Sequence, residues 1–157
     1  MLYFDQPDEE NGFLSNRYPA TIVLNDIQYQ SVKQYTLHQK ALLFFDLEAA
    51  EKILRAKTDA ELDAISHNIR DYNAKLWHGS RQIIVFRGLI RKFKQNRDLL
   101  QQLLSTRTEI LVGCDPNDPV WGIGIPASDP RCSDMSAWPG QNLLGLTLME
   151  VRKFLQE

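Results

Sequence analysis

Lys40 is the residue whose sequence surroundings most favour reactivity. It lies in residues 39–45, where a polar start is followed by an apolar run. An amine that loses part of its hydration has a lowered pKa, and its neutral form is a nucleophile. The alternative is a surface lysine whose stem covers apolar neighbours while its ammonium stays in water. Lys33 lies seven residues earlier on the same predicted helix, so both amines are expected on one side, about 10 Å apart.

Asp118 is a carboxylate that directly precedes a glycine-rich turn. Residues 120–125 read Val-Trp-Gly-Ile-Gly-Ile, a pattern that lets the backbone approach a ligand closely. Residues 140–142 then begin an amphipathic helix whose first amides we expect to be free for an anion or a polar ligand. The glycine-rich turn and the start of this helix are therefore predicted to form the two sides of a pocket. The alternative is a glycine turn packed on a C-terminal helix, with Asp118 stabilising the turn.

Other catalytic and metal-binding arrangements find no support in the sequence. No Ser-His-Asp or Cys-His order is present, and the three histidines lack metal-ligand spacing. The run Gly122-Ile123-Gly124 lacks the third glycine and the strand–glycine–helix context of a dinucleotide fingerprint. The histidines are His38, His67 and His78.

Length and charge restrict the class of protein further. The 157 residues suit one domain, and the net charge of −2 argues against a protein that binds a nucleic-acid backbone. Any nucleotide is therefore expected to be held locally, in a pocket. No apolar stretch approaches the ~20 residues of a membrane span, and no signal peptide is predicted. Cys114 and Cys132 are too few for a disulfide scaffold, so a reduced, cytoplasmic location is expected.

The hydrophobic pattern predicts an α+β protein that is mainly helical with a small sheet. On the first long helix, residues 32–45, an inward stripe of Val32, Tyr35, Leu42 and Phe45 is expected. Ser31, Asp46 and Thr58 are predicted to begin helices. The remaining predicted elements are strands at 2–4 and 109–112, a hairpin at 21–29, and helices near 47–55, 58–69, 71–93, 96–104 and 142–155.

Together these pieces resemble the NADAR or YbiA-like family of N-glycosidases. Five blocks follow one another in the family's order over nearly the whole chain, and their combination is specific although each block alone is weak. The blocks are residues 13–19, residues 29–44 with the run QKALLF, Trp77, Asp118 with the run WGIG at 121–124, and residues 140–152, which begin GQNLLG.

The resemblance implies a single compact domain over residues 1–157 that hydrolyses the N-glycosidic bond between a ribose and a guanine or amino-pyrimidine-type base. Some members are associated with phosphorylated riboflavin-pathway intermediates, and others remove ADP-ribose from guanine in nucleic acid or nucleotides. The form of the QKALLF and WGIG runs is closer to the second group. The implied partner is therefore ADP-ribose or a ribosylated base, including a guanine carried on nucleic acid. No metal or organic cofactor is implied.

Carried over residue by residue, the resemblance assigns two chemical roles. Lys40 matches the family lysine, a candidate for attack on the anomeric carbon of ribose or for a Schiff base after ring opening. Asp118 matches the aspartate before Trp-Gly, which stabilises positive charge on the sugar or handles a proton. Trp77 and Trp121 match tryptophans that stack on the base or wall the pocket. The other positions implied to bind substrate are Ser15, Asn16, Tyr18, Gly122, Gly124 and Asn142.

Two positions depart from the family pattern. Lys33 stands where a glutamate is usual, and Gly113 stands where many relatives carry glutamate after a strand. A lysine cannot replace a carboxylate in acid–base chemistry at neutral pH. The chain is then a non-catalytic ADP-ribose or nucleotide reader, an enzyme inactivated at Lys33, or an enzyme in which Lys33 lowers the pKa of Lys40. That last effect is only a few tenths of a kcal/mol at about 10 Å in water-like dielectric. A plain protein-interaction domain, with no nucleotide binding, is the third class.

Overall fold

The computed structural model describes residues 1–156, which form six α-helices and four short strands. The α+β class predicted from the sequence is confirmed. None of these helices has the length and apolar character needed to cross a bilayer. The strands are β1 Leu2–Phe4, β2 Ile22–Leu24, β3 Ile27–Tyr29 and β4 Leu111–Gly113, and the helices are α1 Val32–Leu43, α2 Leu47–Arg55, α3 Asp59–His67, α4 Ala74–Gln95, α5 Arg97–Ser105 and α6 Leu143–Gln156.

The chain divides into two compact units, Pro19–Gln95 and Met1–Tyr18 with Asn96–Glu157. We refer to them as the central unit and the terminal unit. The central unit contains β2, β3 and α1 to α4, and the terminal unit contains β1, β4, α5 and α6.

The central unit opens with the predicted hairpin. Strands β2 and β3 pair antiparallel, and the turn residues Asn25 and Asp26 have φ values of 53° and 64°. This left-handed pair matches the twist of the two strands, and asparagine and aspartate tolerate it better than most residues. The side-chain amide of Gln95, the last residue of α4, exchanges two hydrogen bonds with the backbone of Val23 at 2.7 and 2.8 Å. One backbone edge of β2 is thereby satisfied by a helix.

Three helices of the central unit begin at the predicted caps. In each case a side-chain oxygen accepts the backbone N–H three residues later, which satisfies one of the free donors of the first turn. The pairs are Ser31 with Gln34, Asp46 with Ala49, and Thr58 with Glu61.

The inward stripe predicted for α1 is wrong at its C-terminal end. Leu42 is 37% exposed and Phe45 is 86% exposed, whereas Ala41 and Phe44 are buried. The helix ends at Leu43, and Phe45 takes φ 56°, so the chain turns and its ring points to solvent. The N–H groups of Phe45 and Asp46 close this end on the carbonyls of Leu42 and Ala41. This pair of bonds is a Schellman motif whose left-handed position usually carries glycine.

In the terminal unit, β1 pairs parallel with β4, and α6 packs on β4. Asn142, immediately before α6, is buried and left-handed at φ 53°. Its side-chain oxygen accepts the N–H of Gly113 at 2.9 Å, and its amide donates to the carbonyl of Leu111 at 2.9 Å. A Cβ on Gly145 would clash with the Leu111 carbonyl, so that glycine permits this close approach. Asn142 thus fastens the start of α6 to strand β4.

Replacing Phe45 by glycine is expected to stabilise the protein by about 1 kcal/mol. Glycine adopts a left-handed φ without the clash that a Cβ creates, and the exposed ring loses few contacts. The free energy of unfolding in urea measures the change. Phe45→Ala is the control, since it removes the ring but keeps the Cβ. An equal gain from Phe45→Ala would attribute the effect to the ring and contradict the backbone explanation.

Asn142→Ala is expected to destabilise the protein by about 3 kcal/mol, because it removes two buried hydrogen bonds and leaves two strand groups without partners. Asn142→Gly loses the same bonds but relieves the left-handed strain, so its loss should be smaller by about 1 kcal/mol. Urea unfolding of both variants separates the two terms. Stability of Asn142→Gly equal to the parent would show that the side-chain bonds contribute nothing.

Candidate functional site

Lys40 lies at the centre of a small group of polar and aromatic side chains in the central unit. Its Nζ donates a hydrogen bond to Oγ of Ser66 on α3 at 3.1 Å. The same nitrogen lies 5.0 Å from the ring centroid of Tyr72 and 5.3 Å from that of Trp77. Tyr72 also packs edge-to-face on Phe44, with ring centroids 5.4 Å apart. The amine of Lys40 therefore sits between two aromatic rings with one polar partner.

The electrostatic environment of Lys40 favours a neutral amine more than water does. Burial lowers the pKa of the Lys40 amine, because the ammonium loses hydration. The faces of Tyr72 and Trp77 act in the opposite direction, since their quadrupoles attract a cation. Half-burial next to the exposed ring of Tyr72 leaves the site accessible to a ligand.

Lys33 is occupied by a different set of partners. Its Nζ lies 2.9 Å from Asp63 and 3.9 Å from Asp59, both on α3. The two lysines of α1 therefore both reach α3, as their spacing predicted. The charge of Lys33 is balanced by carboxylates, and burial alone accounts for the lowered pKa of Lys40. Like-charge repulsion from Lys33 is thus not the cause of that shift.

Trp77 belongs to a buried hydrophobic cluster and is only 9% exposed. The same cluster contains Phe44, Ala41 and Ile53, and the ring of Trp77 also faces the amine of Lys40. Stacking on a base, the role implied by the resemblance, stays a prediction. What the ring provides in the structure is an apolar wall that excludes water from one side of the amine.

Three residues near Lys40 were not predicted from the sequence to belong to a site. Ser66 and Tyr72 contact its amine, but both are distant in sequence and no motif marks them. Thr36 lies four residues before Lys40, so it is on the same side of α1. Its Oγ1 is buried and has no hydrogen-bond partner within residues 1–156. An unpaired buried hydroxyl costs free energy unless a ligand or water meets it.

In the terminal unit, the carboxylate of Asp118 organises the glycine-rich turn. Its Oδ1 accepts the N–H groups of Val120 and Trp121, both at 2.9 Å. Its carbonyl accepts the N–H of Gly122 at 3.1 Å. Turn stabilisation, the alternative weighed for this residue, is therefore present. Oδ2 accepts no hydrogen bond from the described residues, so one oxygen remains for a ligand or a proton.

The expectation that the first amides of α6 are free is wrong. The N–H groups of residues 141 to 144 donate to the carbonyls of the turn, at distances from 2.8 to 3.1 Å. The turn and the helix start pack directly on each other and do not form two sides of a pocket. A Cβ on Gly122 would lie 2.9 Å from the Asp118 carbonyl, and one on Gly140 would lie 2.6 Å from the Gly122 carbonyl. The donor–acceptor pairs are Gln141 with Pro119, Asn142 with Gly122, Leu143 with Val120, and Leu144 with Trp121.

Because of this packing, the predicted binding residues of the turn have fewer free polar groups with which to bind a ligand. The backbone of Gly122 and the side chain of Asn142 are already engaged within the unit. Gly124 has φ 77°, a conformation that glycine adopts without strain. Trp121 is half-buried, and its ring remains available to a ligand. Substrate binding by these residues stays a prediction.

The segment before Pro19 contains three more predicted binding residues. Ser15 is buried, and its Oγ accepts the N–H of Arg17 at 3.1 Å. Oδ1 of Asn16 is buried and has no partner among residues 1–156. Tyr18 is half-buried and closes this segment through a hydrogen bond from its N–H to the Ser15 carbonyl. Asn16 is the residue of this segment with an acceptor left for a ligand.

Comparison with known proteins agrees with this arrangement of elements. A family model described as the NADAR domain matches residues 2–156. The chain is 35% identical to an N-glycosidase of Acanthamoeba polyphaga mimivirus, over 83% of this chain and 76% of the relative. It is 28% identical to an N-glycosidase of Nostoc punctiforme, over 97% and 90%. It is also 36% identical to a riboflavin biosynthesis protein of Vibrio vulnificus, over 99% of this chain but 39% of that protein.

The fold itself matches a solved structure, the NMR structure of the Escherichia coli protein YbiA. The TM-score is 0.80 at 24% sequence identity, and the match covers 99% of this chain and 85% of YbiA. That identity supports likeness of fold only. The family model, which spans all but the ends of the sequence, and the relatives above 30% identity lead to one conclusion: the chain belongs to the NADAR domain family.

Proposed function

We propose that this protein is an N-glycosidase that hydrolyses the bond between the ribose of ADP-ribose and guanine. The observation that carries the proposal is the amine of Lys40, half-buried between Tyr72 and Trp77 with a lowered pKa. A lysine in such surroundings has a larger neutral fraction than a fully solvated lysine, and the neutral amine is the nucleophile. Two relatives from different sources are named N-glycosidases, which supports the same class of reaction.

The reaction requires one bond to break and one to form at the anomeric carbon. In the proposed first step the neutral Lys40 amine attacks C1′, and the bond from C1′ to the base nitrogen breaks. The electron pair leaves on the base, which takes up a proton, and the lysine nitrogen loses one. Ring opening gives a Schiff base, and water then adds to C1′ and releases the lysine. The net change is addition of one water across the glycosidic bond.

Asp118 is proposed to act on the same reaction through its free Oδ2. The departing base leaves positive charge on the sugar, which a carboxylate stabilises, and the proton transfers need a base or an acid. The two backbone N–H groups that bind Oδ1 hold the carboxylate in one orientation. A fixed carboxylate loses less entropy when it engages a substrate.

The identity of the base in the substrate is the more specific part of the proposed function. A guanine-linked ADP-ribose is our first choice because the QKALLF and WGIG runs resemble that group most closely. The Vibrio vulnificus relative is named a riboflavin biosynthesis protein, so a phosphorylated ribosylamino-pyrimidine is the second substrate to test. We propose that a single domain over residues 1–157 carries the activity.

The alternative is a binding-only relative that reads ADP-ribose or a nucleotide. Lys33 favours this alternative, since its ammonium is neutralised by Asp63 and Asp59 and has no acid–base role there. In the enzyme proposal Lys33 has a structural role only, and Lys40 with Asp118 supplies the chemistry. The two hypotheses differ in one observable, which is turnover.

The parent protein is expected to release guanosine from ADP-ribosylated guanosine. Lys40→Met is expected to lower kcat by about 10³-fold or more, because covalent catalysis then lacks its nucleophile. Mass spectrometry follows the products of this substrate and of a phosphorylated ribosylamino-pyrimidine. The rate should rise with pH as the Lys40 ammonium loses its proton. Because burial lowers the pKa of that amine, the midpoint should lie below the usual 10.5.

Lys40→Arg is the matched control for charge, since it keeps a cation but has no nucleophilic amine at these pH values. Activity in Lys40→Arg close to that of the parent would contradict covalent catalysis. Binding of ADP-ribose by calorimetry without turnover of either substrate would instead support the reader.

Lys33→Glu tests whether the residue at position 33 takes part in the chemistry. If the parent is an enzyme that uses Lys40 and Asp118, this substitution should change kcat/KM by less than roughly tenfold, because the ammonium of Lys33 forms its ion pairs with α3 carboxylates among the described residues. A glutamate there faces Asp59 and Asp63, so some loss of stability is expected and is measured by thermal unfolding. Lys33→Gln controls for loss of the ion pair. A gain of about a hundredfold or more in Lys33→Glu alone would reject this account and identify an inactivated enzyme.

A further inference from the structure

Helix α4 concentrates positive charge in a chain whose net charge is negative. Its 22 residues contain six lysines and arginines and no aspartate or glutamate, whereas the whole chain has net charge −2. Four of these cations are exposed and form no ion pair with any described residue: Lys75 in the first turn, and Arg87, Arg91 and Lys94 in the C-terminal half of the helix. We call the last three the basic stripe. Among the other exposed cations of the central unit, Lys52 and Arg55 pair with glutamates on their own helix, and Arg70 pairs with Asp46.

The geometry of α4 places the basic stripe on one side of the helix. Residues 87, 91 and 94 are spaced by four and three positions, so they follow one face and rise by about 6 and 4.5 Å. Favourable interaction with the helix dipole accounts for a cation in the last turn, such as Lys94. It does not account for Arg87, which lies two turns inside the helix. Arg87 and Arg91 act electrostatically on the buried Tyr35, but no carboxylate of the described residues pairs with either, so both charges are available to an external anion.

The same face continues toward the N-terminus of α4 with a different character. Leu76 and Ile83 lie eleven and four residues before Arg87 and are 46% and 50% exposed. An open depression of about 530 Å³ lies at this end, lined by Asn73, Lys75, Leu76, Gly79 and Ser80. A Cβ on Gly79 would meet no atom within 4 Å, so nothing narrows the depression there. The face therefore offers three unpaired cations at one end and, at the other, exposed apolar side chains beside an open depression that Lys75 borders.

We propose that this face of α4 binds single-stranded nucleic acid, with phosphates on the basic stripe and bases on the apolar end. Phosphodiesters carry a regular row of negative charges that arginine and lysine neutralise, and unpaired bases cover exposed apolar surface. An amphipathic helix on a membrane surface shows an apolar stripe along its whole exposed length, which α4 lacks. The inference rests on the proposed function for one point only, that the bound strand carries the modified base.

The position of Tyr72 connects this surface with the amine of Lys40. Tyr72 precedes α4 by two residues, is 47% exposed, and contacts Lys40 on its inner side. Trp77, the other aromatic neighbour of Lys40, is in the first turns of α4. A strand that lies along α4 from the basic stripe toward the start of the helix therefore runs toward the segment that carries Tyr72, whose exposed ring contacts the amine of Lys40.

The test compares two triple variants that remove equal charge from the central unit. Arg87→Gln, Arg91→Gln and Lys94→Gln together remove the basic stripe, and Lys52→Gln, Arg55→Gln and Lys57→Gln together remove three exposed cations of α2 and the residues after it. Fluorescence anisotropy measures the Kd of labelled single-stranded DNA and RNA of one sequence over a series of salt concentrations. Thermal unfolding confirms that both variants are folded.

We expect the stripe variant to weaken binding roughly tenfold or more at low salt and to reduce the slope of log Kd against log salt by about 2, while the control variant binds like the parent. Equal weakening in both variants would show a net-charge effect and overturn the proposal. So would a parent that binds neither oligonucleotide, or one that binds only vesicles of phosphatidylcholine with phosphatidylserine.

A second assay distinguishes failure of the inference from failure of the proposed function. The parent and the stripe variant are compared on ADP-ribosylated guanosine and on an oligonucleotide that carries the same modified guanine. The loss of kcat/KM in the stripe variant should be roughly tenfold greater on the oligonucleotide. Equal losses on both substrates would overturn the docking role. Absence of turnover by the parent on both would reject the glycosidase, and the binding measurements would still decide the inference.

Discussion

The surroundings of Lys40 depend on the hydrogen bonds of one buried carboxylate, that of Asp46. Its oxygens accept the N–H of Ala49 at 3.1 Å, the N–H of Arg70 at 2.9 Å and the Arg70 guanidinium at 3.1 Å. These bonds hold the pKa of Asp46 below its usual value, the backbone bond from Arg70 being the largest cause. Asp46 thus joins the end of α1 and the start of α2 to the segment that leads into α4. Tyr72 lies two residues after Arg70, so the same bonds place its ring over the lysine.

The same geometry explains why the Lys40 amine is neither fully buried nor fully solvated. A buried ammonium without partners is too costly for most folds, and the group then loses its proton. At Lys40, Ser66 supplies one hydrogen bond and the two rings supply cation–π attraction of about 0.5–2 kcal/mol. These contacts allow the amine to be held without a carboxylate that would raise its pKa. Lys33, seven residues earlier, forms ion pairs with Asp63 and Asp59, as structural lysines commonly do.

Helix caps and the hairpin turn could be predicted from the sequence, whereas contacts between residues distant in sequence could not. The caps at Ser31, Asp46 and Thr58 and the hairpin turn at residues 25 and 26 were predicted correctly, because each depends on a few neighbouring residues. The α+β class followed from the same patterns. The amides of α6 were misjudged because their acceptors are turn carbonyls about twenty residues away, and helix termini in sequence give no sign of such partners.

One wrong prediction and one omission within helices have the same origin. Apolar Phe45 was placed inward by helical periodicity, but the helix ends before it and a left-handed residue reverses the chain. On α4, periodicity does not tell Lys92 from its neighbours. Lys92 is fully buried, and its burial lowers the pKa of the amine to about 7, whereas Arg91 and Lys94 are exposed. Which cation faces the core depends on the neighbouring elements, and these are known only once the chain has folded.

For a related reason, the net charge of a chain does not describe the charge of one surface, because it sums groups that no single ligand contacts. A polyanion responds to charges within about one Debye length, which is roughly 8 Å at physiological ionic strength. The acidic residues of α2 and α3 are largely balanced where they stand, with Glu48 on Lys52, Glu51 on Arg55 and Asp63 on Lys33. Helix α4 has no such balance, so its local potential is positive although the chain is acidic. The expectation from net charge that the chain avoids nucleic-acid backbones describes the average of the whole chain, and the proposed docking role of α4 depends on the local charge of one face.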